Sequence, residues 1–438
     1  MSLCLWIAGI TVVLFIASIL FCPAILVRTN RRGDPHFRSI KIYPFIPLAG
    51  AAVMTLTGCV SLSRIADSFL ADSSVNPIRI LILFLSMTVF SLILDQTGFF
   101  GYVSGVILQR SGGGQYGIFL TLYAVISLLT MFTSNDIVIL TFTPFICYFC
   151  RSGKINPVPY LIMEFVAANT WSLFFLIGNP TNIYISGAFG IDFSEYLLTM
   201  ALPTLAAGIV SLGLMLLLFG RQLKGRISVK TEPETITNYP LMWISLGHLI
   251  ACVVLLALSG SIGFEMWLIS LMMGISCLAS SVVCLAVQKR KQRPVKDAVK
   301  RMPFEIIPFV IGMFVLVLAL ELCGVTEMIG TALAGCGGAF SYGILSFFAS
   351  NVLNNIPMSV LFSRILGVCG SMEEIFATIV GSNIGAFLTP VGALAGIMWF
   401  NLLKQHGVKL SVRRFVLYGF LIGIPTLLAA VLVLGWIS

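Results

Sequence analysis

Charge is scarce in this chain. Of 438 residues only 10% are Asp, Glu, Lys or Arg, 58% are hydrophobic, and the mean hydropathy is +1.03. Soluble domains carry roughly 25% charged residues, so a water-soluble globule is excluded. Polar intervals are short as well. The longest, 221–238, is too small to fold alone. No Walker-type Gly-Lys-Ser/Thr occurs. The SGGGQYG run at 111–117 has no lysine after it and reads as a flexible turn. No HExxH, no GxSxG and no His/Asp/Glu cluster lies in an apolar run, which argues against an enzyme. The net charge of +9 comes without aromatic–basic interleaving. It points to basic loops between membrane spans, not to nucleic acid.

The 11 cysteines are an odd number scattered through apolar stretches, and they build no disulfide framework. They read as small hydrophobes. Cys147-x-x-Cys150 is the one close pair, and neither a His nor a third Cys sits beside it. No basic residue precedes the first apolar run, about 3–27, and that run is too long for a signal core. It is expected to stay as a membrane helix.

What the chain does have is apolar runs of spanning length: 3–27, 42–62, 78–97, 158–181, 195–220, 239–259, 262–288, 303–322, 376–400 and 415–437. Two further runs, 117–150 and 339–366, are interrupted by polar residues. If these two turn back as re-entrant hairpins, ten spans and two hairpins result. Loops 28–41, 98–116, 151–157, 221–238, 289–302 and 401–414 then share one face and hold 23 of the 26 Lys and Arg. The exceptions are Arg64, Arg79 and Arg364. Asp67, Asp72, Asp192, Glu195, Glu327, Glu373 and Glu374 fall opposite. The basic face is therefore expected in the cytoplasm, with both termini outside.

The chain repeats itself. Leu92–Gly98 resembles Leu318–Gly324, Phe132–Asn135 resembles Phe348–Asn351, and Asn169 precedes Gly178 by the same interval as Asn383 precedes Gly392. The expected fold is an all-α polytopic membrane protein in two inverted repeats, residues 1–238 and 239–438, each with one hairpin.

The polar breaks carry the candidate site. Backbone at membrane depth has no water to bond unless it lines a cavity. Ser134, Asn135 and Asp136 interrupt the first hairpin; Asn354 and Asn355 interrupt the second. Gly178-Asn179-Pro180-Thr181-Asn182 and Thr389-Pro390-Val391-Gly392 break two spans, freeing carbonyls for a cation and half-helix N-termini for an anion. Asn169 and Asn383 lie about two and a half turns earlier. Asp136 is the group expected to hold Na+ or exchange a proton. It could equally cap a helix over 137–150. Asp95, Glu164 and Glu321 fall near expected helix ends, within reach of water. His248 reads as a packed, hydrogen-bonded residue.

The segments SLILDQTGFF, SNDIVILTFTPF, MPFEIIPFVIGMFVLVLALELCGVTEMIG, NNIP and GSNIGAFLTPVGALAGIMW together resemble the bacterial arsenite permease family of the ion transporter superfamily. The resemblance runs from about residue 80 to the C-terminus. It implies a secondary carrier of rocking or elevator type, coupled to H+ or Na+, whose substrate and ion sites include the positions named above. Two positions depart from the pattern: Asn383 stands where arsenite permeases have an acid, and Phe387 where they have a lysine. Gly178–Asn182 is closer to the sodium-coupled carboxylate branch. The expected function is proton-exchange efflux of arsenite or antimonite, with coupled transport of citrate, a dicarboxylate or another small anion as the alternative. A channel or sensory role fits paired hairpins less well. Expected partners are the small anionic or metalloid substrate and the lipid bilayer, with a homodimer as the assembly to test and no nucleic acid.

Overall fold

A computed structural model describes residues 2–21, 24–31, 34–70, 76–110, 114–226, 235–334 and 338–437. Asp72, Lys230 and the first three residues of the SGGGQYG run lie outside these.

The chain opens with helix α1 (Ser2–Phe21) and an antiparallel pair, β1 (Ala24–Arg31) and β2 (Asp34–Lys41), with Ala24 opposite Lys41. Helices α2 (Phe45–Leu56), α3 (Leu62–Leu70), α4 (Pro77–Gln96) and α5 (Phe99–Arg110) follow. Next come α6 (Gln115–Phe132), α7 (Asn135–Ser152), α8 (Val158–Trp171), α9 (Pro180–Ala188) and α10 (Phe193–Phe219). The second part holds α11 (Tyr239–Ala257), α12 (Ser259–Ile262), α13 (Met266–Val287), α14 (Arg293–Arg301), α15 (Ile306–Leu322) and α16 (Val325–Ala334). It ends with α17 (Ala339–Leu353), α18 (Asn355–Cys369), α19 (Met372–Gly385), α20 (Leu394–Gln405) and α21 (Val412–Ile437).

Local chemistry sets these starts. Asn76 accepts from the Ile78 amide ahead of Pro77, and Asn238 accepts from Leu241 N ahead of Pro240. In each case an amide oxygen meets an orphan N–H, and proline occupies a position whose N–H has no helical partner. Ser371 and Glu374 form a reciprocal capping box on α19.

Seven helical stretches among the described residues are long and apolar enough to cross a membrane. Six match expected spans; the seventh is α6, a hairpin arm. Of the other four expected spans, two are corrected in extent and two are broken where the sequence expects. The 3–27 run is helical to Phe21, and its last residues, 24–27, belong to β1. The 42–62 run contains only α2, twelve residues or about 18 Å, short of a 30 Å hydrocarbon core. The 158–181 run is divided into α8 and the start of α9, and 376–400 into α19 and α20, at the Gly/Pro/Asn breaks.

Each interrupted run folds back. The start of α6 and the end of α7 both lie at the Tyr160 end of α8. Phe119 and Phe149 pack their rings on Tyr160, at 5.9 and 6.2 Å between centroids. Tyr116 there donates to Gly220 O, just past the end of α10, at 2.6 Å. The start of α17 and the end of α18 also share one end: Glu374 accepts from Gly338 N and Ser371 N at 2.8 and 2.9 Å. That foot lies near the beginning of α10, where Tyr196 meets Phe376. Helix α10 has 27 residues, about 40 Å. The feet of the two hairpins therefore sit at its opposite ends.

Five of the six basic loops interlock on one face. Gln115 N donates to Gly225 O, Asn156 to Gln222, Arg290 to Thr237 O, and Arg151 to His406 O. Arg301 pairs with Asp95. Away from this face, Arg79 pairs with Glu265 at 2.5 Å under the Trp267 ring, and Arg364 pairs with Glu321. Asp95 and Glu321 thus lie at helix ends, as expected. Glu164 does not: it is fully buried inside α8, which is packed on every side. His248 bonds Ile244 O and Ser276. Cys147 and Cys150 are free, buried thiols on α7.

The charge distribution generates a labelling prediction. In a cysteine-depleted background, Gly153→Cys should react with an impermeant maleimide only from the cytoplasmic side, and Glu373→Cys only from outside. External labelling at 153 would contradict the fold-back of α6 and α7.

Candidate substrate and ion site

The two broken helices meet at one buried amide. Asn383, near the end of α19, has no exposed surface. Its Oδ1 accepts from Asn179 Nδ2 at 2.8 Å and from Ser172 Oγ at 3.0 Å. Its Nδ2 donates to Asn182 Oδ1 at 2.7 Å and to Ile379 O at 3.0 Å. Asn182 Nδ2 in turn donates to Ser172 O at 2.8 Å, and Asn179 Oδ1 caps α9 at Thr181 N. Ser382 Oγ reaches the Thr181 hydroxyl at 3.3 Å. Each group finds a partner in another, which is how irregular backbone survives away from water. Gly178 belongs to the same packing. A Cβ there would lie 2.3 Å from Ser172 O, so a side chain is excluded.

The hairpin tips flank this cluster. At the first tip Asn135 Nδ2 donates to Asn169 Oδ1 at 3.1 Å, and Asn169 Nδ2 donates to Phe165 O. At the second, Asn354 Nδ2 donates to Val391 O at 2.8 Å and Asn355 N to Gly392 O at 2.9 Å. Asn354 holds φ +75° with ψ 151°, outside the left-handed helical well, a backbone conformation that strains any residue but glycine. Asn351 Oδ1 accepts from the amide and hydroxyl of Thr389 at 3.0 and 2.7 Å, while its Nδ2 donates to Gly385 O. A Cβ on Gly392 would stand 2.7 Å from Asn351 Oδ1.

Three acceptors at these tips remain unused. Ser134 Oγ, Asn354 Oδ1 and Asn355 Oδ1 are buried without a hydrogen-bond partner among the described residues. Buried oxygens of this kind are uncommon and call for a reason. Asp136 is half-buried and follows Ser134 and Asn135 at the first tip. It is not the helix cap. Ser134 occupies that position and α7 starts at Asn135, so Asp136 sits in the first turn, where the helix dipole favours a carboxylate.

The expected residues thus separate by partner. Asn179, Thr181, Asn182 and Asn383 satisfy one another, with Gly178 packed beneath. Asn135 and Asn169 pair. Asn354, Asn355, Thr389 and Gly392 gather at the second tip. Ser172, Ser382 and Asn351 were missing from the expected set. The hydroxyls carried no signal, since serine in an apolar helix usually bonds its own turn. Asn351 was visible as part of the break.

Apolar helices of spanning length, two broken helices and two folded-back hairpins define a multi-pass membrane protein that works as a secondary transporter. The citrate transporter family model (CitMHS) matches residues 39–377, and the chain belongs to that family, within the ion transporter superfamily. It is 27% identical over 370 residues to the arsenical pump membrane protein of Yersinia enterocolitica, covering 78% of this chain and 83% of that one. The 46 kDa membrane protein of Mycobacterium leprae is 24% identical over 407 residues, covering 87% and 91%. The crystal structure of the Alcanivorax borkumensis YdaH transporter superposes with a TM-score of 0.58 at 13% identity, covering 100% and 98% of the two chains. Neisseria gonorrhoeae MtrF, described as an antimetabolite efflux pump, gives 0.54 at 13%, covering 99% and 94%. These two show the same fold.

The division by partner makes opposite predictions for two asparagines. An interhelical hydrogen bond in a membrane protein contributes only about 0.6 kcal/mol. Orphaning a buried polar group costs more, about 1–3 kcal/mol each. Asn383→Leu strands Ser172, Asn179 and Asn182 together, so a marked fall in melting temperature of the purified protein is expected. Asn355→Ala removes an oxygen with no partner and should leave that temperature nearly unchanged. Equal loss in both would show that the cluster is not the clamp.

Proposed function

We propose that this protein exports a trivalent metalloid hydroxide, arsenite or antimonite, in exchange for protons, from a site between the two hairpin tips. The reading rests on the unused oxygens at the two tips, Ser134 at the first and Asn354 and Asn355 at the second, and on the half-buried carboxylate of Asp136 at the first tip. Arsenous acid is neutral near pH 7 and carries three hydroxyls that both donate and accept. Amide and hydroxyl oxygens suit it, and no cation is needed to hold it. A citrate trianion would meet Asp136 without a compensating basic side chain among the site residues, an arrangement that costs binding energy. The relatives described as arsenical pump membrane proteins agree with this choice. The hairpin feet at opposite ends of α10 support two inverted repeats, 1–238 and 239–438, in which each hairpin opens to its own side.

One observation favours a second reading, Na+- or H+-coupled uptake of a carboxylate. The N-termini of α9 and α18 end near the cluster and the second tip, and a helix N-terminus attracts anions. The family description, citrate transporter, points the same way.

Reconstituted vesicles separate the two. Arsenite flux driven by an imposed pH gradient, with no response to sodium and no citrate flux, is the expected outcome. Citrate flux without arsenite flux would replace the first reading with the second. Asp136→Asn keeps the size of the side chain but cannot ionise, so gradient-driven flux should be lost while the protein still inserts. Full flux in this variant would remove Asp136 from the coupling mechanism.

A further inference from the structure

One buried acid is not used by the tips. Glu164 is fully enclosed in α8, and three helices supply its surroundings. Thr143 of α7 places Oγ1 2.8 Å from Glu164 Oε1. Trp399 of α20 donates from Nε1 to Oε2 at 3.4 Å. The Trp399 ring also packs on Phe165 and on Phe415 of α21, which closes the chamber. Helices α6, α10 and α19 pack on α8 as well, yet among the described residues no ion pair reaches this carboxyl. The titratable neighbour is Cys147, one turn beyond Thr143 on α7.

The hydrogens can be counted. Thr143 Oγ1 lies 2.7 Å from Ile139 O as well as 2.8 Å from Glu164 Oε1, and a hydroxyl has one proton to give. Ile139 O can only accept. Both contacts are hydrogen bonds only when Thr143 donates to Ile139 O and Glu164 donates to Thr143 Oγ1. The acid is then protonated and neutral. An ionised carboxylate would draw the Thr143 proton away from Ile139 O, and it would stand in a chamber where, among the described residues, no cation offsets its charge.

Helix α7 supplies the direction. Thr143, Cys147 and Arg151 recur every four residues and so share one face of the helix. Arg151 ends this stripe on the basic face, donating to His406 O at 2.8 Å. This face of α7 therefore runs from the buried acid toward the loops assigned to the cytoplasm.

We propose that Glu164 is a proton-binding site of this carrier, filled and emptied along the Thr143–Cys147 face of α7, and separate from the substrate site at the hairpin tips. The proton comes from water and returns to water, leaving the carboxylate behind; no other bond changes. Loss of the proton turns the Thr143 hydroxyl from Ile139 O to the carboxylate and so rearranges the contact between the return arm of the first hairpin and α8. This rests on the proton-coupled reading above and adds a second acid to Asp136.

The test uses the full-length protein in lipid vesicles. Infrared difference spectroscopy across a pH titration, without substrate, should show the carbonyl band of a protonated, hydrogen-bonded carboxylic acid at neutral pH. That band should vanish in Glu164→Gln. In Thr143→Val, which keeps the acid but removes its acceptor, the band should shift to higher frequency. Arsenite flux in Glu164→Gln should lose its dependence on the pH gradient. A wild type without the band, a Thr143→Val variant with an unshifted band, or a Glu164→Gln variant with unaltered pH dependence would each overturn the proposal. Should wild type carry no arsenite, the function proposed above fails, while the spectrum still decides whether Glu164 binds a proton.

Discussion

The constraint that organises this molecule is the absence of water at membrane depth. A helix broken in mid-span exposes backbone groups that lipid cannot satisfy. This chain breaks two helices and turns two hairpins beside them. The exposed groups are disposed of by bringing the breaks together: Asn383 from one broken helix bonds Ser172, Asn179 and Asn182 from the other. Without that reciprocal contact neither break would be tolerated. The interrupted spans, the glycine at 178 and the run of asparagines all follow from it.

The polar interior therefore has two energetic characters. The central cluster is saturated, so it gains nothing from a ligand and serves as a fixed reference. The hairpin tips are tethered by backbone and amide bonds but keep three buried oxygens without partners. Such atoms destabilise the ligand-free state, and a bound group that donates to them recovers the difference. Glu164 adds a further buried polar group, held by Thr143 and Trp399 on the neighbouring helices.

Much of this was legible in the amino-acid sequence, for identifiable reasons. Asparagine, glycine and proline inside apolar runs mark breaks because few other residues sit there without cost, and the breaks at 134–136, 178–182, 354–355 and 389–392 all appear. The charge count separated hairpins from spans because basic residues gather in loops that share a face. Hydrophobicity read lengths less well. An apolar run says that a segment is buried, not that it is one straight helix, so 42–62 became α2 and a turn, and 3–27 ended in a strand. Glu164 was misplaced for the same reason. Its distance from the end of a run said nothing about the helices packed around it. Ser172 and Ser382 escaped notice because a serine hydroxyl resembles a methyl group in size and pattern until its partner is seen.

The central claim is that the hairpin tips form one site reached from each side of the membrane in turn. Single cysteines at Ser134 and Asn355, placed in a cysteine-depleted carrier, test it without knowledge of the substrate. In right-side-out and in inside-out vesicles alike, a membrane-impermeant thiol reagent should modify both positions, more slowly than a cysteine placed in a loop. Modification of either tip from one side only, or from neither, would contradict alternating access at the hairpin tips.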